Sequence, residues 1–180
     1  MTKQDFSKEV ILKIISNRPD IGKTAVMKMM FILQESYGLP LGHTFDIYTY
    51  GPYASSVTAE LEHLIYTGFV DAVTYDYKNA SAYKLNASQK GKDAVGAFSM
   101  DVESDDQKIR KVLDLFGSKN AKELELDSTI IYIKHQYAKD SWPASENDIS
   151  EIINEVHSIK PHFTKHEIQN SYFSLKEVLC

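Results

Sequence analysis

The sequence predicts a mainly α protein with a small antiparallel β-hairpin, which is an α+β fold. Two observations carry this prediction. Apolar residues recur at helical spacing along most of the chain, and two short runs of strand-forming residues flank a polar turn at residues 76–79. With 180 residues, of which 43% are hydrophobic, the chain is long enough to bury a substantial core.

The first two helices are predicted by apolar stripes that end at a proline or a glycine. The first helix is expected over residues 5–17, because Pro19 keeps the residue before it out of helical geometry. The second is expected over residues 24–37, with Gly38 as its left-handed cap. Three methionines in the second helix favour core packing over an adaptable binding groove.

A short strand and a third helix are expected next. Residues 43–50 alternate as a strand does. Gly51 and Pro52 are then expected to turn this strand sharply into the helix, since glycine adopts backbone angles that other residues resist and proline fixes φ. Either Ser55 or Ser56 is expected to cap that helix.

A β-hairpin is predicted directly after the third helix, which ends at Gly68. Its strands are expected over residues 69–75 and 80–85. The order helix, helix, strand, helix, hairpin is that of a winged helix-turn-helix, which we place at residues 1–98. A further helix is expected behind the hairpin.

An acidic linker is expected over residues 99–106, followed by a helical C-terminal half over 107–180 that packs on the first part. Capping-box spacing, in which a polar residue precedes a glutamate by three positions, occurs at Asn120 and at Thr164. A β-branched run within residues 124–137 leaves a strand open as the alternative to a helix there.

Composition limits the function classes. No apolar run reaches the roughly 20 residues of a membrane helix, and the N-terminus lacks the apolar core of a signal peptide, so we expect a cytoplasmic protein. The single cysteine excludes an internal disulfide. The net charge is −5, and the first 100 residues are neutral with 10 basic and 10 acidic side chains. Neither half has the positive field of a dedicated nucleic-acid binder.

Three phrases carry a family resemblance: KTAVMKMMFILQ at 23–34, FDIYTYGPYASSVTAELEHLIYTGFV at 45–70 and VHSIKPHFTKHEIQNSYFSL at 156–175. On these phrases the chain resembles the YwgA-like family of small bacterial and phage proteins. More distantly, it resembles the Panacea domain found in SocA-like antitoxins. The first resemblance implies no established catalytic residues. The second implies a role in toxin–antitoxin or phage-related biology, through binding a protein or DNA.

The third predicted helix occupies the position of the DNA-recognition helix in a winged helix-turn-helix, yet it carries carboxylates. Residues 29–77 contain no lysine or arginine, and Glu60 and Glu62 are predicted to face outward, which opposes binding to a polyanion. Tyrosine, which is enriched at interface hot spots, is concentrated in the same region. We therefore predict a non-enzymatic interaction protein with a protein partner. The predicted contact residues are Tyr50, Tyr53, Glu62, His63 and Tyr66.

Other roles stay open for these features. A DNA-binding regulator that uses the wing would contact phosphates through lysines on or behind the hairpin, namely Lys78, Lys84 and Lys90. Lysines also keep an edge strand from aggregating, which is the structural alternative. The tyrosines around the Gly-Pro turn also suit packing against its backbone. A homodimer remains open as well.

Enzyme and metal chemistry find little support in the sequence. It contains no nucleophile elbow, phosphate-binding glycine loop, dinucleotide motif or zinc-protease pair, so we expect no cofactor. Three histidines bunch within ten residues but share no helix face, so no metal site is predicted: His157, His162 and His166. Three acids alternate as nuclease ligands can, but a solvated helical face is the preferred interpretation: Glu123, Glu125 and Asp127.

Overall fold

The structure is a computed structural model that describes residues 3–77, 80–97, 103–139 and 146–179. The helices are α1 (Lys3–Asn17), α2 (Lys23–Glu35), α3 (Ser55–Tyr66), α4 (Gln89–Ala97), α5 (Glu103–Phe116), α6 (Ala121–Lys139), α7 (Glu146–Ile159), α8 (Lys165–Ser174) and α9 (Lys176–Leu179). The strands are β1 (Asp46–Tyr48), β2 (Gly51–Tyr53), β3 (Val70–Tyr77) and β4 (Ala80–Ala87). The predicted mainly helical α+β class is confirmed. Across these residues, no helix is both long enough and apolar enough to cross a membrane.

Helix α2 lies at the centre of the fold. Residues 25–33 are all buried, because α1, α3, α5, α6, β2 and β4 all contact this helix. A helix covered on every side is apolar all round, as this run is except for Lys28. Met29 and Met30 are fully buried in the core, as predicted, whereas Met27 is buried but also borders a surface groove. Elements from both ends of the chain therefore share one core around α2.

The long hairpin β3–β4 is confirmed. Its antiparallel register runs from Val70 opposite Ala87 to Tyr77 opposite Ala80. Ile21, in the short connection between α1 and α2, adds an isolated antiparallel bridge to this hairpin. The amide of Leu85 donates to the carbonyl oxygen of Ile21 at 2.9 Å. The hairpin is thereby attached to the start of α2.

The segment after α2 differs from the single strand predicted over residues 43–50. Strands β1 and β2 form a second hairpin, in which Asp46 pairs with Tyr53. The chain reverses at residues 49–50, and Gly51 follows with a φ of +87°. A glycine of positive φ after two tip residues is typical of bulged hairpins. The prediction was wrong about the position of the turn, because the glycine and proline belong to a strand rather than to the reversal.

The start of α3 also differs from the prediction. The residue before the helix is Ala54, and no side chain caps the first turn. Ser56 does not cap it, since its hydroxyl lies 2.7 Å from His43 Nδ1. A tertiary hydrogen bond has replaced the local cap that the sequence suggested.

The predicted linker is partly helical. Residues 103–106 form the first turn of α5, while residues 99–102 lie outside the described part of the chain. Asp106 accepts a 2.5 Å hydrogen bond from Lys13 of α1, which attaches this acidic turn to the core. The acidic composition therefore reflects a helix start, where negative charge is favourable.

Helix α6 is continuous, so the strand alternative within residues 124–137 is wrong. The predicted capping box at its start is present: Glu123 N donates to Asn120 Oδ1 at 3.0 Å, and Asn120 N donates to Glu123 Oε2 at 2.8 Å. The box of Thr164 with Glu167 at the start of α8 is confirmed too. Both boxes satisfy amides that the first turn leaves free.

Gly51 provides a test of the contact between the β1–β2 hairpin and α6. A Cβ at position 51 would lie 3.1 Å from Thr129 Oγ1 and 3.2 Å from Ser128 Oγ, in addition to the strain of a positive φ. We expect Gly51→Ala to lower the free energy of unfolding by roughly 2–4 kcal/mol in urea denaturation. Gly38→Ala is the matched control, since Gly38 has a φ of +66° with open space around it. The control should lose only about 1–2 kcal/mol, and equal losses would contradict the close contact.

Candidate functional site

Two buried lysines hold the β1–β2 hairpin in place. Lys28 of α2 donates to the carbonyl oxygen of Pro52 at 2.7 Å. Lys160, which follows α7, donates to the carbonyl oxygen of Tyr48 at 2.9 Å and to the next carbonyl as well. Lys160 Nζ also lies 3.1 Å from Glu125 Oε1 on α6. The hairpin is thus bound through its main chain from both sides.

Burial dominates the electrostatics of this ion cluster. Lys28 is 2% exposed, and burial, with a smaller effect of the nearby Lys160 charge, lowers the pKa of Lys28 to about 8. The Glu125 charge opposes that shift, and Glu125 is the ion-pair partner of Lys160. Glu125 Oε1 has no well-aligned hydrogen bond despite its 3.1 Å distance to Lys160, so the attraction there is mainly coulombic. Removing one partner of such a buried cluster leaves uncompensated charge.

The acids of α6 are not the solvated face that the sequence favoured. Glu125 and Asp127 are buried, and only Glu123 of the three is exposed. Asp127 accepts a 2.6 Å hydrogen bond from Ser171 Oγ and also binds Lys119. The solvated interpretation was wrong because α2, β2, α7 and α8 cover α6.

A groove opens between the β1–β2 hairpin, α2 and α3. It has a volume of about 540 Å³, and apolar surface makes up most of its wall. Residues that form the wall include Met27, Tyr48, Tyr50, Tyr53, Val57 and Leu61. Pockets of this size and character hold side chains or small molecules in many proteins.

Two of the five predicted contact residues line this groove. Tyr50 is at the tip of the hairpin and is 69% exposed. Tyr53 has a structural role as well, since its hydroxyl accepts a 3.2 Å hydrogen bond from Thr58 Oγ1. Its ring also packs edge-on against Tyr48, with the ring centroids 5.3 Å apart. Packing around the turn is therefore confirmed for Tyr53.

The other three predicted contact residues lie outside the groove. Glu62, His63 and Tyr66 are exposed on α3, and Tyr66, at 91%, is the most exposed large hydrophobic side chain among the described residues. Glu62 Oε1 lies 4.0 Å from Nζ of Lys23, which borders the groove. The predicted contact residues thus fall into two groups. Tyr50 and Tyr53 line the groove, and the other three lie on the exposed face of α3.

Glu60, which was predicted to face outward, is buried at 6% exposure. Ser7 of α1 donates to Glu60 Oε2 at 2.5 Å, and Ser7 Oγ lies 2.7 Å from His43 Nε2. Because the one hydroxyl proton of Ser7 goes to Glu60, His43 Nε2–H is the donor to Ser7, and Nδ1 accepts from Ser56. Burial raises the pKa of Glu60 and lowers the pKa of His43. The network joins α1 to α3 inside the core, where Ser7 is fully buried.

The lysines assigned to a wing contact their own chain. Lys84 Nζ lies 4.6 Å from the ring centroid of Tyr75. Lys90 Nζ donates to the carbonyl oxygen of Thr67 at 2.8 Å. Lys78 lies outside the described residues. Lys84 therefore already makes a cation–π contact within its own chain, and Lys90 already makes a hydrogen bond there.

The three bunched histidines have different surroundings. His157 Nδ1 donates to the carbonyl oxygen of Phe163 at 2.8 Å, and His162 Nε2 lies 3.4 Å from Glu125 Oε1. His166 Nδ1 lies 3.0 Å from the side-chain nitrogen Nδ2 of Asn170. In the part of the chain that the structure describes, no three His, Cys, Asp or Glu side chains are grouped to hold a metal ion.

The residues that sequence reasoning missed are Lys28, Glu125 and Lys160. One signal for Lys28 was available, since it interrupts an apolar run on a helix that is apolar all round. Such a position indicates a buried lysine that needs a partner. Pro52, the hydrogen-bond partner of Lys28, lies 24 residues further along the chain. Glu125 and Lys160 lie much further away in sequence, so local patterns do not reveal the cluster.

Comparison with known proteins finds one informative relative. No family model matches the chain. The chain is similar to the uncharacterized protein YwgA of Bacillus subtilis (strain 168), with 27% identity over 123 residues. The aligned region is 68% of this chain and 71% of that protein. This similarity supports the YwgA-like resemblance that the three sequence phrases carry.

Lys28 provides a pH-dependent test of the ion cluster. Its pKa is lowered from 10.5 to about 8, so between these pH values the unfolded chain binds a proton at Lys28 that the folded chain does not. The free energy of unfolding should therefore gain a positive contribution as pH rises from about 8 toward 10. Urea denaturation at several pH values should show this contribution in the wild type but not in Lys28→Met.

Lys92→Met is the control for this experiment, because Lys92 is an exposed lysine on α4. It removes the same charge without touching the cluster and should keep the pH dependence of the wild type. If Lys28→Met and Lys92→Met show the same slope of unfolding free energy against pH, the lowered pKa of Lys28 is wrong.

Proposed function

We propose that this protein binds a partner protein by accepting an apolar, basic segment of that partner in the groove between the β1–β2 hairpin, α2 and α3. The observation that carries the proposal is an apolar groove with an exposed tyrosine, Tyr50, at its edge. Interfaces concentrate their binding energy in aromatic and apolar anchors that fill such pockets. Tyrosine supplies a large rigid contact face at low entropic cost.

The charges around the groove favour a basic partner segment. Residues 29–77 contain no lysine or arginine, and both Asp46 of β1 and Glu62 of α3 are exposed. Lys28 lines the groove, but its ammonium is bonded to a carbonyl oxygen of the hairpin. Lys23 remains as the cation of the rim, 4.0 Å from Glu62. Complementary charge on the partner would contribute to specificity and to the rate of association.

The way in which the hairpin is held also suits binding. Lys28 and Lys160 bind main-chain oxygens on the two strands, and Gly51 rests against α6. One wall of the groove is therefore ordered before any partner arrives. A surface that is already ordered loses less conformational entropy on binding, which leaves more of the contact energy for affinity.

We propose that the N-terminal part is a winged helix-turn-helix and that the chain is YwgA-like. The order α1, bridge of Ile21 to Leu85, α2, α3 and β3–β4 supports this arrangement. In a winged helix-turn-helix, α3 would be the recognition helix. Its exposed carboxylate, Glu62, favours a protein partner over DNA. The more distant Panacea resemblance extends the proposal to an antitoxin-like or phage-related partner.

A displayed peptide library tests the proposal directly. Selection on the wild-type protein should enrich peptides that combine an aromatic or long aliphatic residue with lysine or arginine. The affinity of a selected peptide is then measured by fluorescence polarisation. Tyr50→Ala should weaken binding roughly tenfold or more, because it removes the exposed aromatic wall of the groove.

Tyr66→Ala is the matched control, since it removes another exposed tyrosine that lies on α3 outside the groove. It should change the affinity by less than about twofold, as is usual for contacts outside a hot spot. Enrichment of acidic peptides would contradict the charge argument. Equal effects of the two substitutions would show that the groove is not the binding site.

A further inference from the structure

A second pocket lies where α1 and α5 end, and it shares no lining residue with the groove. Its volume is about 430 Å³. The sequence contains two arginines, Arg18 and Arg110, and both line this pocket. Arg110, Leu113 and Asp114 lie on one face of α5, because residues three and four positions apart are neighbours on a helix. Ser118 adds a hydroxyl from the turn that follows.

The Arg18 guanidinium is fixed but incompletely bonded. Its Nη2 donates to the carbonyl oxygen of Lys119 at 3.1 Å. Its Nη1 is buried and has no hydrogen-bond partner among the described residues. Burial lowers the pKa of Arg18, since the cation loses hydration there. A buried donor without a partner is costly, and an anion that reached this nitrogen from the pocket would offset that cost.

The turn after α5 keeps the pocket wall close to Arg18. Gly117 N donates to the carbonyl oxygen of Leu113 at 2.7 Å. A Cβ at position 117 would lie 2.2 Å from that same oxygen, so only glycine fits there without a shift of the backbone. The close turn brings Ser118 and Lys119 back toward the end of α1, where Lys119 meets Arg18.

We propose that this pocket binds a small phosphorylated molecule. Guanidinium groups match the geometry of phosphoryl oxygens and are the preferred side chains for binding them. The volume of the pocket is in the range of small-molecule sites and exceeds what a phosphate alone requires. Asp114 repels a bare anion but accepts a hydrogen bond from a hydroxyl group. Leu113 offers an apolar wall, so the ligand is a phosphomonoester with a hydroxyl-bearing organic part.

Isothermal titration calorimetry at constant ionic strength tests this site with three probes: inorganic phosphate, ribose 5-phosphate and ribose. Ribose 5-phosphate should bind more tightly than inorganic phosphate, and ribose should not bind. Arg110→Gln should weaken the binding of both phosphate compounds roughly tenfold or more, as expected for the loss of a charge-assisted hydrogen bond. Asp114→Asn should weaken ribose 5-phosphate relative to inorganic phosphate.

Lys111→Gln is the matched control, because it removes one positive charge from the adjacent position of α5 without altering the pocket lining. Its affinities should equal those of the wild type. Arg110 is exposed, so its substitution leaves the core intact, and circular dichroism verifies the fold. The site is refuted if neither phosphate compound binds, or if Lys111→Gln weakens binding as much as Arg110→Gln. Equal affinity for inorganic phosphate and ribose 5-phosphate would refute the small-molecule assignment.

Discussion

The attraction between two buried ammonium groups and the main chain of one short hairpin is the constraint on which the groove depends. Lys28 comes from the central helix and Lys160 from a segment far along the chain, and the Glu125 carboxylate of α6 lies 3.1 Å from Lys160 Nζ. Carbonyl oxygens carry only partial charge, so they hydrogen-bond these ammonium groups without neutralising them. The position of the hairpin therefore depends on Lys160 after α7 and on the close contact of Gly51 with α6.

A second polar network has a similar effect on the opposite wall. Ser7, His43 and Glu60 connect α1, the segment after α2 and α3 by short hydrogen bonds inside the core. Polar networks of this kind are directional, whereas apolar contacts tolerate sliding. Met27 of α2 lines the groove, and the two networks hold the elements on either side of it.

Sequence reasoning succeeded where the determinants are local. The Thr164 and Glu167 box, and the hairpin over β3–β4, are visible in a few consecutive residues. Glu60 was placed outward because helical spacing alone does not reveal that α1 covers that side of α3. Tyr50 was identified, but the groove beside it was not, because its walls come from three segments whose separation depends on distant lysines. The two-arginine pocket was missed for the same reason, since Arg18 and Arg110 line one pocket only in the folded chain.

Lys28 and Lys160 bind main-chain oxygens of the β1–β2 hairpin. The side chains at its tip, residues 49–50, therefore contribute little to holding the hairpin in place. Lys160 binds the carbonyl oxygens of Tyr48 and Thr49, so the residue at position 49 presents its oxygen to Lys160 whatever its side chain is. Mutation at the tip therefore alters what the groove edge displays while leaving its scaffold unchanged. If the groove binds a partner as proposed, such an arrangement would let related chains change their partner by substitutions at the hairpin tip while the fold stays the same.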